Sequence, residues 1–322
     1  MLPNNVFKKE TKMTILETII PVFLMIALGK FLSAKKILSE EGIRSIKSLA
    51  TNVFLPVMAF DTLIHGSFSS DSLILIFLEI SILAAGFFLG FLIKGFFDSD
   101  INGYVPYAMT TYEGGLFGWA LISILVGQKS DAMFNIVSMD IFSGIFCFTI
   151  MATGLKLLAG QKMTKKEVSL SIITSPMIIA TALGFLGAAF HLGEKIDASQ
   201  FSAIYSKTTS FFIQPLSPII LICIGSGLVF DFNILKKGFK LAAFRYAIQL
   251  ILCILVLIVI SLTIGLTRPF KFALLVYFFV PTSFLLSMYA TDKKAVEFTS
   301  GYLSFQIIIS LIIFSILSII YN

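Results

Sequence analysis

Long apolar runs recur along the whole sequence, and each is close to the roughly 20 residues that an α-helix needs to cross a bilayer. Clusters of Lys, Asp, Gly and Pro separate the runs. Because 57% of the 322 residues are hydrophobic and only 13% are charged, a water-soluble fold would lack the polar surface to cover itself. The sequence therefore predicts an all-α integral membrane protein. Ten transmembrane helices are predicted at residues 14–33, 44–65, 71–94, 103–127, 132–158, 168–191, 203–229, 239–264, 270–290 and 296–320.

Lysine and arginine residues cluster at alternate ends of these runs. Basic loops stay on the cytoplasmic side of a membrane, and an N-terminus placed outside puts two-thirds of the basic residues, Arg245 among them, on that side. Lys8, Lys9 and Lys12 then lie outside. No small-residue cleavage site follows the first run, so it is predicted to be a retained span and not a signal peptide. The sequence thus predicts a multi-pass protein of the cell membrane with both termini extracytoplasmic.

The ten predicted spans divide into two halves of five. An odd number of spans in each half makes the second half enter the membrane the other way up, which is an inverted repeat. Two proline positions recur in the same order in both halves, since Pro21 is matched by Pro176 and Pro56 by Pro215. The predicted division is a first five-helix repeat at 1–159, a cytoplasmic linker at 160–167 and a second, inverted five-helix repeat at 168–322.

The fourth and ninth spans contain residues that oppose a continuous helix. In the fourth, Glu113 is followed by three glycines, although these could instead form a close-packing face of an unbroken helix. In the ninth, Pro281 removes a backbone donor. Two crossing broken helices would expose N–H and carbonyl groups at the bilayer centre, where they can hold an anion without an ion pair. The residues predicted to form this substrate-binding crossing are Glu113, Gly114, Gly115, Gly118, Pro281, Thr282 and Ser283.

Several segments resemble the auxin efflux carrier family, whose plant members are the PIN-type auxin exporters. The segment 51–60 of the second span, in which Leu-Pro precedes an apolar run, is similar to the family's second helix. The proline-rich run 215–225, which closes on glycine, resembles the family's seventh helix. The segments 280–283, 289–292 and 304–310 resemble its Pro-Thr-Ala segment, its short polar turn and its serine-bearing last helix. The resemblance covers nearly the whole chain in order.

This resemblance implies a ten-span fold with two crossing broken helices, and a helical scaffold domain beside a transport domain. It also implies export or exchange of small organic anions, including carboxylates such as malate in bacteria, or of auxin-like amphiphiles. Membrane lipids would surround the protein, and a homodimer is one assembly that the resemblance allows.

The sequence departs from the family pattern in its fourth span. The family often has Asn where this chain has Glu113, and Pro where this chain has Ala120. An ionised Glu113 would repel a carboxylate at the crossing. Either Glu113 is protonated when the substrate binds, which would couple transport to protons, or the substrate is not a simple anion.

A charge inside a span is costly unless it is neutralised or faces a polar cavity, and this applies to Asp61, Glu79, Glu113 and Asp140. Glu113, Asp140 and Glu79 are candidates for proton coupling, although the last two could equally be hydrogen-bonded packing groups. Asp61 lies near a span end and is predicted to be solvated. Uncharged candidates for lining the site are Asn52, Pro56 and Gln214, and the two amide side chains could instead form hydrogen bonds between helices.

The sequence predicts a secondary transporter that moves a small organic acid or amphiphile. The alternative is a sensor or channel that binds such a ligand at the crossing without carrying it. An enzyme is not predicted, because the chain has no His-Glu-x-x-His motif and both histidines fall at span ends. Cys147, Cys223 and Cys253 lie singly in apolar runs, so no metal site, disulfide or cofactor is predicted. The dispersed basic clusters give no nucleic-acid-binding stripe.

Overall fold

The computed structural model describes residues 20–66, 70–160, 164–228, 231–290 and 292–321. The predictions for Lys8, Lys9 and Lys12 lie outside these residues. Within them, the regular secondary structure is helical throughout. The helices in chain order are α1 (Ile20–Ala34), α2 (Glu40–Leu49 and Leu55–Ile64, joined by a π-helical turn at Ala50–Phe54), α3 (Ser70–Ile93), α4 (Ser99–Asn102), α5 (Val105–Ala108), α6 (a π-helical turn at Gly114–Gly118 followed by Trp119–Val126), α7 (Asp131–Phe146 and Ala152–Leu158, joined by a π-helical turn at Cys147–Met151), α8 (Lys165–Ile173), α9 (Pro176–Ala189), α10 (Leu192–Asp197), α11 (Ser202–Ile213 and Leu216–Gly227), α12 (Phe232–Thr263), α13 (Arg268–Phe278), α14 (Leu285–Met288) and α15 (Lys293–Tyr321).

The long helices carry apolar side chains on their outer faces. In the described residues, five helices are long and apolar enough to cross a membrane, namely α3, α7, α11, α12 and α15, while α1, α6 and α9 are shorter apolar helices. Phe211 is 79% exposed and Leu262 is 81% exposed. Such surfaces are unfavourable in water but suit contact with lipid tails. The architecture is that of an all-helical membrane protein.

Proline explains why the predicted sixth span is two helices. The residue before a proline is driven out of helical geometry, and Ser175, which precedes Pro176, is extended with ψ at 120°. The first of the two helices, α8, begins inside the stretch predicted as a linker. It begins there because Thr164 and Glu167 form a reciprocal cap, in which the Thr164 N–H lies 2.7 Å from the Glu167 carboxyl. This hydrogen bond lowers the pKa of Glu167.

Prolines also disturb α2 and α11. In α2, Pro56 follows the π-helical turn Ala50–Phe54, in which the hydrogen-bonded turn widens by one residue. In α11, Gln214 and Pro215 form a turn between the two helical segments. The matched prolines Pro56 and Pro215 therefore both lie at local departures from α-helical geometry.

Helices α1 and α11 touch backbone to backbone. A Cβ atom added to Gly29 in α1 would overlap the carbonyl oxygen of Ile222 in α11, and one added to Gly225 in α11 would overlap the carbonyl oxygen of Ile26 in α1. The contact is reciprocal, and glycine is what allows the two backbones to approach so closely.

A second seam of the same kind joins α12 to α15. A Cβ atom at Gly238 would overlap the backbone of Tyr302, and one at Gly301 would overlap the carbonyl oxygen of Ile234. These two helices flank the region where the chain is interrupted.

Candidate binding site at two interrupted helices

The chain leaves helical geometry at two buried places. Residues 109–113 connect α5 to α6, and residues 279–284 connect α13 to α14. The first interruption ends directly before the glycines at the start of α6, and the second contains Pro281, which lacks a backbone donor. Thr111 and Thr282, one from each interruption, are both fully buried, so both interruptions lie inside the protein.

The two interruptions cross in direct contact. The backbone N–H of Glu113 donates to the carbonyl oxygen of Pro281 at 2.7 Å. The hydroxyl oxygens of Thr111 and Thr282 are 3.2 Å apart, and the N–H of Ser283 points at the Thr111 hydroxyl from 3.4 Å. The structure therefore brings Glu113, Pro281, Thr282 and Ser283 together at one point.

The Glu113 carboxylate lies at the start of α14. It accepts a hydrogen bond from the backbone N–H of Phe284 at 2.6 Å, and its residue is 8% exposed. The ammonium group of Lys47 lies 5.3 Å from the centre of the Phe284 ring and is near enough to attract Glu113. In this conformation the Glu113 side chain already satisfies the backbone donor that a substrate anion would use.

The glycines that open α6 differ in how closely they are packed. A Cβ atom at Gly114 would overlap the carboxyl group of Asp140 in α7, whereas one at Gly115 would lie 3.3 Å from a methyl group of Leu55. A Cβ atom at Gly118 would also meet a side chain at 3.3 Å. Gly114 is thus the glycine whose missing side chain leaves room for a second carboxyl group beside the crossing.

Arg245, in the middle of α12, holds the carbonyl end of the first interruption. Its guanidinium donates to the carbonyl oxygens of Ala108 at 2.8 Å and Thr111 at 2.7 Å, and it lies 5.3 Å from the centre of the Tyr112 ring. The Tyr302 hydroxyl also donates to Ala108, at 2.8 Å. Arg245 is fully buried. Because it donates to the Ala108 carbonyl, its charge lies at the negative, C-terminal end of α5.

Sequence reasoning missed this role of Arg245. The residue was counted among the basic residues of a cytoplasmic loop, but it lies in the protein interior because its carbonyl partners are there. A signal was present, since position 245 falls inside the predicted span 239–264 and an ionisable residue within a span usually serves a site.

Helices α15 and α7 contact the second interruption through polar side chains. The N–H of Thr282 donates to the side-chain oxygen of Gln306 at 3.1 Å. The Cys147 thiol lies 3.0 Å from the Ser283 hydroxyl, and Gln306 is fully buried. The exposed backbone of this interruption is therefore fixed by neighbouring helices.

A pair of buried carboxyl groups lies beside the crossing. The Tyr277 hydroxyl of α13 lies 3.0 Å from Glu79 of α3 and 2.7 Å from Asp140 of α7. The Tyr277 ring stacks on Tyr112 with centroids 4.7 Å apart, and the Tyr112 hydroxyl donates to Gln249 of α12 at 2.5 Å. These contacts join the first interruption to four surrounding helices.

Three other predicted residues are not brought to the crossing. The Asn52 side chain is exposed and donates to Ser48 of its own helix at 2.9 Å. Gln214 is also exposed, and Pro56 is buried within α2. The residue before Pro56, Leu55, does reach the site, where its side chain lies next to Gly115.

Asp61 is buried and not solvated, contrary to the prediction from its place near a span end. It is 5% exposed and accepts a hydrogen bond from the Tyr205 hydroxyl at 2.8 Å. His65 lies one helical turn away, with 3.4 Å between its ring nitrogen and the Asp61 carboxyl. The first segment of α11 supplies the covering tyrosine, and hydropathy does not register that contact. Across the described ranges there is no group of three or more His, Cys, Asp and Glu residues placed to hold a metal.

A small crevice lies beside Phe284, whose N–H donates to Glu113. Its volume is only about 10 Å³ and its surface is apolar, so Lys47 lines it with its aliphatic stem and not with its ammonium group. The lining residues are Lys47, Ala50, Leu116, Ile220, Cys223, Ile224 and Phe284.

Comparison with known proteins identifies the family of the chain. A family model described as "Membrane transport protein" matches residues 14–321, almost the whole chain. No curated protein matches the chain.

Proposed function

Because the chain belongs to the membrane transport protein family that includes the auxin efflux carriers, and is therefore a transporter and not an enzyme, we propose that it is a secondary transporter of small organic anions. The observation that carries the proposal is the hydrogen bond of 2.7 Å between Glu113 and Pro281. It joins two interrupted helices inside the protein, and this is the arrangement in which transporters bind their substrates.

A carboxylate or an auxin-like amphiphile suits the chemistry around this crossing. Apolar side chains line the crevice, which must widen to admit a substrate, and the ammonium group of Lys47 lies over the Phe284 ring. An apolar wall close to one positive charge matches an anionic group on an apolar body. The N–H of Phe284, which Glu113 occupies in this conformation, could donate to a substrate carboxylate. The substrate must displace the Glu113 side chain from that donor, and protonation of Glu113 would remove the charge that repels the substrate.

The proposal includes ten spans arranged as two inverted five-helix repeats. In support, each interruption is followed by a long helix, α7 after the first and α15 after the second. The matched prolines Pro56 and Pro215 both lie at local departures from α-helical geometry. The first repeat would then end with α7, and the second would begin with α8.

We also propose that the end of the molecule at which α4 and α15 begin faces the cytoplasm, with both termini on the other side. Basic residues gather there: Lys294 pairs with Asp100 at 2.6 Å, and Lys237 pairs with Glu297. Through its hydrogen bond, Lys294 lowers the pKa of Asp100. An excess of Lys and Arg is typical of a cytoplasmic face. The exposed apolar surfaces would contact lipids or a second copy of the chain in a homodimer.

Counterflow in proteoliposomes tests the transport proposal. A thermal-shift screen against organic acids and indole acids selects the ligand, because a ligand that binds only the folded protein raises the melting temperature. Vesicles loaded with that unlabelled acid should then take up labelled acid faster than empty vesicles. Binding without any acceleration of uptake would favour the sensor, and uptake that does not respond to internal substrate would favour the channel.

Glu113→Gln is expected to change the pH dependence of this exchange. Glutamine can still accept the hydrogen bond from Phe284 but carries no charge, so it imitates protonated Glu113. One like charge a few ångströms away in a low-dielectric site costs at least about 1.4 kcal/mol, and we therefore expect the affinity for the anion at neutral pH to rise by about tenfold. Exchange rates across a pH series provide the measurement. The matched control is Glu41→Gln on the exposed start of α2, and an unaltered pH profile in Glu113→Gln would remove Glu113 from the coupling.

A further inference from the structure

The Tyr277 hydroxyl makes two hydrogen bonds but has one hydrogen. Its oxygen lies 3.0 Å from Glu79 Oε1 and 2.7 Å from Asp140 Oδ1. A hydroxyl donates one hydrogen bond, and an ionised carboxylate can only accept. With both carboxyl groups ionised, one of the two contacts would have no hydrogen between its oxygen atoms. The two contacts are satisfied together when one carboxyl group carries a proton and donates it to the tyrosine oxygen.

The second oxygen of Glu79 identifies the group that holds this proton. Glu79 is fully buried, and its Oε2 has no hydrogen-bond partner. In the part of the chain that the structure describes, Glu79 forms no ion pair with a lysine, arginine or histidine. A charged oxygen in that position would be costly, whereas the carbonyl oxygen of a neutral acid is far less so.

Asp140 has surroundings that suit the ionised member of the pair. It accepts from Tyr277 and lies against the backbone at Gly114, where α6 begins. The positive end of that helix favours a negative charge.

The neighbouring elements bring few other titratable or charged groups to the pair. Tyr112 stacks on Tyr277, and Arg245 lies over the other side of Tyr112. Cys253 of α12 lies near Tyr112, and Glu113 lies within electrostatic range of Asp140. Arg245 is the cation of this set, but its guanidinium is bonded to backbone carbonyls and not to either carboxyl group.

We propose that Glu79, Tyr277 and Asp140 form a proton-binding site that supplies the coupling ion of the transporter. The proton on Glu79 is donated to the tyrosine oxygen as the tyrosine hydrogen passes to Asp140. This step leaves an ionised Glu79, a neutral tyrosine and a protonated Asp140, and no other reactant is needed. Because Asp140 contacts Gly114, the position of the proton changes the charge next to the crossing. The coupling role, though not the proton itself, rests on the proposed transport function.

Infrared spectroscopy of the purified full-length protein tests the proton directly. At neutral pH, where exposed carboxyl groups are ionised, the wild type should show the carbonyl stretch of a buried protonated carboxyl group, with a shift in heavy water. Glu79→Gln should lose this band, and glutamine should be accommodated because it replaces a neutral acid of the same shape. Tyr277→Phe should shift the band. Tyr205→Phe, which removes the hydroxyl bonded to Asp61, is the matched control and should leave the band unchanged.

The absence of the band in the wild type would overturn the inference, as would its persistence in Glu79→Gln. Sodium-dependent stabilisation of a protein without the band would assign the site to a metal cation instead. A wild-type spectrum without the band overturns the inference even if a variant fails to fold.

Transport assays separate the coupling role from the transport proposal. A pH gradient, alkaline inside, should increase substrate accumulation by the wild type and by Tyr205→Phe, and this increase should be lost in Glu79→Gln. A wild type that shows counterflow but no response to the gradient would overturn the coupling role alone. A wild type that shows the infrared band but no counterflow would overturn the proposed function and leave the proton-binding site in place.

Discussion

Arg245→Ala is expected to lower the melting temperature of the detergent-purified protein sharply and to abolish transport. The substitution removes two charge-assisted hydrogen bonds, to Ala108 at 2.8 Å and Thr111 at 2.7 Å. Hydrogen bonds of this kind are worth about 1.5–3 kcal/mol each, so the expected loss is about 3 kcal/mol or more. Tyr302 can still satisfy Ala108, but the carbonyl of Thr111 loses the charged donor that orients the first interruption.

Arg268 provides a matched control for this substitution. Its guanidinium also donates to the carbonyls at a helix end, Tyr321 at 2.7 Å and Ile320 at 3.2 Å, but the group is exposed. Arg268→Ala should therefore change the melting temperature little, since water can replace the donor. Arg245→Lys should fall in between, because an ammonium group lacks the fork that reaches two carbonyls. Equal melting temperatures for Arg245→Ala and Arg268→Ala would contradict the assigned role.

Gly114→Ala is expected to reduce counterflow by more than about tenfold, and the neighbouring substitution Gly115→Ala to leave most of it. A methyl group at Gly114 would overlap the Asp140 carboxyl, whereas a methyl group at Gly115 would lie 3.3 Å from the movable end of Leu55. The first change must displace either the start of α6 or the carboxyl pair, and a misplacement of about 1 Å at a functional centre can cost about a hundredfold in rate.

Counterflow should be compared at equal amounts of folded protein, which size-exclusion profiles and expression levels establish. The two variants differ by one position and carry the same added methyl group, so helix propensity is nearly matched. If Gly115→Ala proved as damaging as Gly114→Ala, general intolerance of this turn would explain the loss better than contact with Asp140.

The apolar runs located the long helices well, and basic residues account for the largest error. Predicted spans 71–94 and 132–158 correspond closely to α3 and α7, whereas the predicted start at 239 lies seven residues inside α12. Hydropathy reports where lipid contacts the chain and not where a helix begins. Asp231 caps α12 by accepting from Asn233 at 2.8 Å, and the following lysines continue the helix beyond its apolar part.

Local chemistry also located the interruptions, because glycine and proline oppose a helix whatever surrounds them. The partners of the interrupted backbone could not be located in this way. Arg245 and Tyr277 reach the crossing from other helices, and no spacing along the chain encodes that contact. Asn52 and Gln214 show the same limit, since the composition of a span does not tell which face of its helix points inward.

The reciprocal glycine contacts fix how this protein can deform. At each of these glycines, backbone atoms of the partner helix occupy the place of a side chain, so sliding or rolling α1 against α11, or α12 against α15, would bring the backbones into collision. Each of these two helix pairs is therefore expected to move as one rigid unit. A conformational change that carries a solute across the membrane would therefore move the two helix pairs relative to each other through their side-chain contacts. The glycine contacts within each pair would be kept.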